Sequence, residues 1–392
     1  MKVLIVNKFY YPRGGDCVCA INLERLLRED GHETAVFAMD YAENVAIPAG
    51  GFAPEVSFTG SIGAKIKAAK RIFGGAGVRD SFTEVLQQFR PDVVHFHNIH
   101  SYLSPAIVKM AKDFGAKTVW TMHDYKLVCP SYACLSNGKP CEDCIGGSKK
   151  HVFSKRCMKG SRAASLLAWM EACHWNAKKL SAYTDCFICP SAFMSLKMEK
   201  GGFDKKKLAI VTNFVDPQKV PEKIEAERKP YYAYAGRLSQ EKGLFTLLKA
   251  AVQFPYPLKI AGDGPLREEL ETKFGRCDNI EFLGHLDAKS IGMLLREARF
   301  SVTPSECYDN NPLSVIESLS AGTPVVGARI GGIPELIQPG CGLLFRSGNV
   351  DLLANSIAQA WEYPFDYAGI AANAASRFSR DRYLKEILAI YR

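Results

Sequence analysis

The chain has 392 residues, of which 47% are apolar, and a formal net charge of +9. This length predicts two or three domains, each able to bury its own core. No apolar run reaches the roughly 18 residues of a membrane-spanning helix. Residues 3–7 read as a short strand and not as a signal peptide, which has a long apolar core. We therefore expect a cytoplasmic protein. Nucleic-acid binding fits poorly, because a recognition motif and interleaved aromatic residues are missing.

The first half alternates short apolar strands with amphipathic helices. This alternation predicts a doubly wound α/β domain with a parallel sheet over residues 1–213. After the first strand, Gly14 and Gly15 precede a helix, where glycines let the backbone approach a ligand. The three-glycine spacing of a dinucleotide fingerprint is missing, which argues against NAD or FAD. Strands are predicted at residues 3–7, 34–38, 92–97, 118–121 and 186–190, and helices at 20–29 and 104–113.

The basic excess lies in this first half, because residues 1–200 carry a net charge of +8 and the remainder +1. Such residues attract anionic membrane surfaces, each contributing about 1 kcal/mol. They suggest peripheral association with the inner face of the membrane, although ordinary solvated faces explain them equally well. Two groups stand out: Lys65, Lys67, Lys70 and Arg71, and then Lys149, Lys150, Lys155, Arg156, Lys159 and Arg162.

Thirteen cysteines are many for a cytoplasmic chain. Residues 129–157 form a cysteine-rich insertion with few core-forming side chains, which a metal would help to order. A Cys-x2-Cys pair with two further thiols nearby is a pattern of structural zinc, which takes four thiolates in a tetrahedron. The favoured ligands are Cys129, Cys141, Cys144 and Cys157. The alternative is a set of reduced thiols without metal, since disulfides are disfavoured in a reducing compartment.

Histidines follow two of the predicted strands of the first domain. His97 follows one strand, and His123 with Asp124 follows the next. Strand ends of such sheets line ligand sites. His123 is therefore a candidate for bonding a sugar hydroxyl, with Asp124 as its orienter or as a base. His97 is interpreted as a structural residue.

The alternation stops at a polar, proline-bounded linker over residues 214–230 and then restarts. A second doubly wound domain is predicted over residues 231–379. A last helix, 380–392, is expected to pack back on the first domain. Two such domains are expected to face each other across a cleft at their carboxyl strand ends. The predicted strands are residues 231–235, 258–261, 280–283, 300–304, 324–327 and 342–345.

Two loops of the second domain carry candidate phosphate-binding groups. Gly236 and Arg237 end its first strand, and Lys242 lies near the next helix. Two cations there can neutralise a diphosphate, with Arg as a fork and Lys as a point charge. The alternative is that Arg237 pairs with Glu241 while Lys242 is solvated. Gly262 lies in a tight turn that either holds a nucleotide base or only reverses the chain.

The strongest functional pattern surrounds a helix start in the second half. Pro312 suits the first helical position and makes Asn311 a natural N-cap. The helix is expected to run through Ser320. The free N–H groups of Leu313 and Ser314 then point out of a positive helix end that is ready for an anion.

Two carboxylates flank this helix start. Asp309 lies ahead of it and Glu317 about one and a half turns inside it. Carboxylates on both sides of an anion site suit a ligand with hydroxyls on both sides of a phosphate. A nucleotide sugar is such a ligand.

With these segments together, the chain resembles the retaining glycosyltransferases of family 4, which have the two-domain GT-B fold. The resemblance spans essentially the full length. Residues 123–130, with the cysteines that follow, look like those of a bacterial subgroup that builds surface polysaccharides. The segments that carry the resemblance are residues 14–15, 121–124, 236–243, 261–265, 309–317, 321–326, 331–335 and 342–345.

The resemblance implies transfer of a hexose-type sugar from a UDP- or GDP-linked donor to a saccharide or polyprenyl-linked saccharide. It implies retention at the anomeric carbon and no metal at the reaction centre. Arg237 and Lys242 would hold the diphosphate, Asp309 the donor sugar, Glu317 the ribose and His123 a sugar hydroxyl. The nucleotide sugar would also contact Gly14, Gly15, Gly236, Gly262, Asn310, Asn311, Leu313 and Ser314.

One position departs from the family pattern. The first acid of the Glu-x7-Glu motif is Asp309, whose carboxylate reaches about 1.5 Å less than that of Glu because one methylene is missing. This departure bears on the identity of the donor sugar more than on activity. A phosphorylase or sugar-nucleotide epimerase on the same architecture would use a similar phosphate site, and a non-catalytic nucleotide-sugar binder is a third reading.

Overall fold

The structure of the protein is a computed structural model that describes residues 1–215 and 227–392. The predicted linker at residues 214–230 therefore lies mostly outside the described residues.

The first part of the chain alternates strands and helices. Its elements are β1 Lys2–Val6, α1 Gly15–Glu29, β2 Glu33–Met39, β3 Gly50–Ala53, α2 Ile62–Ile72, α3 Val78–Phe89, β4 Val93–Phe96, α4 Ala106–Phe114, β5 Lys117–Thr121, β6 Leu135–Ser136, β7 Lys139–Pro140, α5 His151–Ser154, α6 Arg162–His174, α7 Ala177–Tyr183, β8 Cys186–Cys189, α8 Ala192–Lys200 and β9 Leu208–Ile210.

The second part repeats the alternation and ends in three helices. Its elements are β10 Tyr232–Ala235, α9 Leu244–Ala251, β11 Leu258–Ala261, α10 Arg267–Phe274, β12 Ile280–Gly284, α11 Ala288–Glu297, β13 Ser301–Thr303, α12 Leu313–Ser320, β14 Val325–Ala328, α13 Ile333–Leu336, β15 Gly342–Phe345, α14 Val350–Glu362, α15 Tyr367–Phe378 and α16 Arg380–Tyr391.

The chain divides into two compact units. The first unit comprises Met1–Asn137, Cys141–Val211 and Leu384–Arg392. The second unit comprises Gly138–Pro140 and Thr212–Tyr383. The last residues of α16 therefore belong to the first unit, where the Tyr391 hydroxyl bonds His95 Nδ1 at 2.6 Å.

Each unit is built on a parallel sheet. Among the described residues, the sheet of the first unit has the order β3-β2-β1-β4-β5-β8-β9, and that of the second β12-β11-β10-β13-β14-β15. The central strands β1 and β10 are mostly apolar and buried, as expected when helices cover both faces of a parallel sheet. In each unit the order reverses beside the first strand, between β1 and β4 and between β10 and β13. This topological switch point is where open α/β sheets bind ligands.

The predicted α/β architecture is confirmed. The two strands Leu258–Ala261 and Gly342–Phe345 have the predicted bounds. Four strands were not predicted: β3 begins with two glycines, β9 has three residues, and β6 and β7 have two residues each. The first helix begins at Gly15, five residues before the predicted start, with Asp16 in its first turn.

The predicted cap of α12 is wrong by one position. Pro312 is extended, with φ −66° and ψ 122°, and stands at the N-cap, so the helix begins at Leu313. Asn311 does not cap because its Oδ1 accepts a hydrogen bond from the backbone N–H of Asn213 at 3.1 Å. The helix ends at Ser320, as predicted.

Two members of the predicted basic groups are internal. The Arg71 side chain is buried and donates to the carbonyls of Pro54, Ala76 and Tyr102. Lys149 Nζ donates to the carbonyl of Val128 at 2.8 Å. Burial lowers the pKa of Arg71 to about 10. These two charges hold loops together and are not part of a basic surface.

Within residues 1–215 and 227–392, no helix combines the length and the apolarity that crossing a membrane requires.

The turn after β11 predicts a specific sensitivity at Gly262. Its φ is +144°, and a Cβ there would lie 1.9 Å from the Gly236 carbonyl oxygen. We expect Gly262→Ala to destabilise the second unit by about 3 kcal/mol or more, because a clash is added to backbone strain. Hydrogen exchange of the β10 and β11 amides measures this loss.

Gly340→Ala is the matched control. Gly340 has φ +83°, but a Cβ there would meet nothing within 4 Å. Gly340→Ala should lower the free energy of unfolding only by the strain of a left-handed backbone, about 1–2 kcal/mol. Equal losses in the two variants would contradict a steric role for Gly262.

Candidate functional site

The switch point of the second unit brings two loops together. The loop after β10 leads through Gly236 and Arg237 to Lys242, and the loop after β13 leads to Asp309. Their backbones are joined by a hydrogen bond from the Glu306 N–H to the Glu241 carbonyl at 2.9 Å. The topology therefore places residues 67 positions apart at one edge of the sheet.

A cation and an anion meet there. Lys242 Nζ lies 2.5 Å from Asp309 Oδ1, and their side chains are only 27% and 14% exposed. Ser305 Oγ donates to the other carboxylate oxygen of Asp309. Burial lowers the pKa of Lys242, but the charge of Asp309 and its hydrogen bond outweigh this effect, with Cys307 and Glu241 contributing, so that the pKa is raised. Lys242 is therefore a fixed positive charge at the switch point.

Arg237 is an exposed cation on the same loop. The alternative in which it pairs with Glu241 is wrong, because Glu241 Oε1 accepts from Ser239 Oγ at 2.6 Å. Among the described residues Arg237 forms no ion pair, and Lys242 is paired rather than solvated. The guanidinium of Arg237 is thus accessible to a ligand. Lys242 can bind a ligand only if it leaves Asp309 or contacts Asp309 and the ligand together.

The start of α12 adds backbone donors. The N–H groups of Leu313 and Ser314 have no hydrogen-bond partner among the described residues, as expected in the first turn of a helix. Glu317 lies further along the same helix, and its side chain is buried. The second unit therefore places predicted residues of three kinds on neighbouring elements: cations, carboxylates and free amides.

Close backbone packing fixes these loops. Gly236 N–H donates to the Ala261 carbonyl at 3.0 Å, which joins the turns after β10 and β11. The Asp309 carbonyl accepts from the Gly332 N–H at 2.7 Å. Gly331 has φ +60°, and a Cβ there would lie 2.3 Å from that carbonyl. The loop after β14 thus supports the Asp309 loop from behind.

The first unit carries a polar group at its own switch point. Asp16, in the first turn of α1, accepts from Asn98 Nδ2 at 2.7 Å. Gly14 is the N-cap of that helix and Gly15 its first residue. Burial raises the pKa of Asp16, but Lys8, His123, Asn98 and the Cys17 amide together lower it. An ionised carboxylate therefore lies beside His123.

The histidines of this edge form a chain of neutral rings, in which His95 stacks on His97 and His97 is hydrogen-bonded to His123. His97 Nδ1 and His123 Nε2 lie 2.8 Å apart, and His95 bonds Thr121 at 2.7 Å. Burial lowers the pKa of His123 to about 4 and that of His95 to about 3. Burial also raises the pKa of Asp124, whose Oδ1 accepts the Lys126 amide. Neutral imidazoles suit uncharged ligands such as sugar hydroxyls.

The structure adds residues to both groups that the sequence analysis missed. Ser305 orients Asp309, Asn98 orients Asp16, and the charges of Asp16 and Lys8 act on His123. Asp16 was within reach of prediction, because it follows the Gly14-Gly15 pair at a helix start. Ser305 and Asn98 gave no signal, since a polar residue in a loop is common.

The cysteine-rich segment is held by apolar packing and by hydrogen bonds to its backbone. Among the described residues, no three His, Cys, Asp or Glu side chains are grouped so that they could hold a metal ion. Cys144 packs against Val152 and Ala168, and Lys149 donates to the Cys144 carbonyl. Zinc at Cys129, Cys141, Cys144 and Cys157 stays a prediction, and no function is derived from it.

Family comparisons agree with this architecture. The profile of Glycosyltransferase Family 4 matches residues 13–219, and that of Glycosyl transferases group 1 matches residues 216–377. Two Rossmann-like units with these matches define a glycosyltransferase of the GT-B type. Since the first profile covers more than half of the chain, the chain belongs to Glycosyltransferase Family 4.

Individual relatives extend over parts of the chain. Sulfoquinovosyl transferase SQD2 of Arabidopsis thaliana is 38% identical over 129 residues, which are 31% of this chain and 25% of that protein. The O-antigen biosynthesis glycosyltransferase WbnH of Escherichia coli is 28% identical over 226 residues, 57% of this chain and 63% of that protein. The chain thus spans less than two thirds of the length of each.

A solved structure matches over nearly the whole chain. The crystal structure of Anabaena Alr3699/HepE in complex with UDP and glucose has a TM-score of 0.68 at 18% identity, covering 99% of this chain and 98% of that one. At this identity the likeness shows the fold.

The low histidine pKa values predict acid sensitivity of the first unit. The folded state keeps His95 and His123 neutral, whereas the unfolded chain protonates them near pH 6.5. Stability should therefore fall as pH decreases from about 6.5 towards 4, by up to about 1.4 kcal/mol per pH unit for each histidine. Thermal unfolding at pH 7 and pH 5 measures the fall.

The variant His123→Gln should lose less stability between these pH values than the wild type. The exposed His285 in the second unit supplies the control, since His285→Gln should leave the pH dependence unchanged. A wild-type protein whose stability is flat down to pH 5 would contradict the neutral histidine chain.

Proposed function

We propose that the protein is a retaining glycosyltransferase that moves a hexose from a UDP- or GDP-linked donor to a saccharide or polyprenyl-linked saccharide in cell-surface polysaccharide biosynthesis. The observation that carries this proposal is the Lys242–Asp309 pair at the switch point of the second unit, next to the free amides of α12. A cation, a carboxylate and amide donors are what a sugar diphosphate requires.

The proposed chemistry depends on the leaving group. Negative charge develops on the diphosphate as its bond to the sugar breaks. Lys242, Arg237 and the amides of Leu313 and Ser314 are preorganised donors for that charge. They supply the positive charge, so the proposal places no metal at the reaction centre. The acceptor hydroxyl attacks from the face that the diphosphate leaves, and its proton passes to the departing phosphate.

The carboxylates select the rest of the donor. Asp309 accepts hydrogen bonds from hydroxyls of the sugar, and Glu317 accepts hydrogen bonds from the ribose hydroxyls. One carboxylate oxygen of Asp309 accepts a hydrogen bond from Lys242 and the other accepts one from Ser305. A donor sugar must therefore compete for this carboxylate, while its diphosphate competes for Lys242. A UDP-linked sugar is supported by the complex of Alr3699/HepE with UDP and glucose.

The first unit is assigned to sugar hydroxyls. His123 is neutral and lies beside the Asp16 carboxylate, so the pair offers both a donor and an acceptor. The part of the chain similar to WbnH supports a role in surface saccharide synthesis. A polyprenyl-linked acceptor would place the enzyme at the inner face of a membrane.

The leaving-group role predicts the effect of removing the Lys242 amine. Lys242→Ala should lower the turnover rate at saturating donor by about 10²–10³, or roughly 2.7–4 kcal/mol. The control is Lys249→Ala, an exposed lysine on α9 of the same unit. Single-turnover transfer from UDP- and GDP-hexoses measures the rate.

Unchanged turnover of Lys242→Ala would refute the leaving-group role. Nucleotide binding by a wild type that neither transfers nor hydrolyses sugar over a broad acceptor panel would favour a non-catalytic binder. Turnover without an acceptor, or turnover that requires inorganic phosphate, would indicate the epimerase or the phosphorylase.

The shared carboxylate predicts opposite effects on two ligands. Asp309→Asn should weaken the binding of the nucleotide sugar by about tenfold, because a charged acceptor of sugar hydroxyls is lost. The free nucleoside diphosphate should bind this variant at least as tightly as it binds the wild type, because Lys242 no longer has a charged partner. Calorimetry with both ligands measures the ratio.

Asp263→Asn is the control. Asp263 is an exposed carboxylate in the turn after β11 and pairs with Arg267. It should leave the ratio unchanged. Equal weakening of both ligands by Asp309→Asn would contradict contact with the sugar.

A further inference from the structure

The start of α2 in the first unit is an exposed apolar surface. Ile62 is 77% exposed and Ile66 is 52% exposed. They are one helical turn apart and therefore share a face of the helix. Among the described residues, Ile62 is the most exposed large apolar side chain.

The other end of α2 is firmly anchored. Ala68, Arg71 and Ile72 are buried, and the Ile72 carbonyl accepts from Ser104 Oγ at 2.7 Å and Trp175 Nε1 at 2.9 Å. At about 100° per residue, the anchored residues lie on the face opposite to Ile62 and Ile66. The exposed isoleucines are thus held outward by a fixed helix end.

Three lysines accompany the isoleucines. Lys65 and Lys70 lie on either side of the isoleucine face, and Lys67 lies beyond Lys70. All three are exposed, and none forms an ion pair within residues 1–215 and 227–392. Other exposed lysines of this unit do form ion pairs, as Lys109 does with Asp113 and Lys112 with Asp185. The helix itself contains no acidic residue.

The neighbouring helix α6 repeats this pattern. Leu166 and Met170 are exposed and one turn apart, and the exposed Arg162 begins the helix. The last turns of α2 and α6 meet, since the rings of Phe73 and His174 lie 5.2 Å apart. The first unit therefore presents two joined helices with exposed apolar side chains and uncompensated positive charge.

We propose that α2, supported by α6, is the surface through which the protein docks on an anionic phospholipid bilayer. Apolar side chains on an interfacial helix enter the boundary between headgroups and acyl chains. Lysines beside them bind headgroup phosphates while their methylene stems stay in apolar surroundings. A soluble anion would match the lysines and leave the isoleucines unexplained. Docking rests on α2 alone, whereas its purpose, access to a lipid-linked acceptor, rests on the proposed function.

The test is flotation of the full chain with vesicles. Binding is compared between phosphatidylcholine vesicles and vesicles that also contain phosphatidylglycerol, at low and high salt. The wild type should float with the anionic vesicles only and be released by high salt. Inorganic phosphate at matched ionic strength should not displace it. Displacement by phosphate would reassign the lysines to a soluble anion and overturn the proposal.

Two variants of α2 separate its two contributions. Ile62→Ser with Ile66→Ser removes the apolar part, and Lys65, Lys67 and Lys70→Gln removes the charges. Each should weaken vesicle binding by about tenfold or more, since one lysine near the surface contributes roughly fivefold. Wild-type affinity in either variant would overturn the proposal.

Matched controls change equal numbers of residues elsewhere. Leu352→Ser with Met293→Ser alters two 43% exposed apolar side chains, on α14 and α11. Lys178, Lys205 and Lys206→Gln removes three exposed charges from the same unit. Both should bind vesicles as the wild type does, and a loss equal to that of the α2 variants would show a general charge or surface effect.

Sugar transfer to a short water-soluble acceptor keeps the two proposals distinguishable. The α2 variants should retain wild-type transfer in this assay. Failure of transfer by every protein, with vesicle binding intact, would refute the proposed function and leave the docking surface standing.

Discussion

The ion pair of Lys242 and Asp309 is the interaction on which the second unit's site depends. Two charges with side chains 27% and 14% exposed are each costly to bury alone, so each keeps the other in place. The strand order supplies the geometry, because the loops after β10 and β13 leave neighbouring strands on either side of the switch point. The two side chains therefore hold each other in fixed positions. A ligand that replaces both partners with its own phosphates and hydroxyls finds them positioned, and little conformational entropy is left to lose.

The same strand order serves different chemistry in the two units. In both sheets the order of the strands reverses beside the first strand, and polar side chains lie at that point in both units. In the second unit these groups are charged, with a lysine whose pKa is raised. In the first unit the imidazoles are kept neutral by burial, and the carboxylate of Asp16 is held ionised by its neighbours. One architecture thus produces an edge of charged side chains and an edge of neutral rings. The difference lies in the side chains that follow each strand.

The sequence predicted what local pattern controls. Apolar runs bounded by glycine or polar residues predicted the buried strands, and Pro312 placed the start of α12 within one residue. Contacts between residues far apart in the sequence could not be predicted in this way. Nothing local pairs Lys242 with a residue 67 positions away, and Asn311 looked like a cap because Asn213 was not known to bond it. Roles for Arg237, Glu317 and Gly15 came from the family resemblance. Those roles stay proposals.

Charge shows most clearly why composition alone is ambiguous. The sequence grouped Arg71 with three lysines of the same helix, yet the structure separates them completely. Arg71 faces inward and donates to three carbonyls, so its charge fastens α2 to the unit. The lysines face outward and have no acidic neighbours in ion-pair contact among the described residues. An inward arginine and outward lysines on one short helix therefore have complementary functions. The rigid anchor is what allows two isoleucines to remain exposed, since an unanchored helix of this length would fold them against the protein surface.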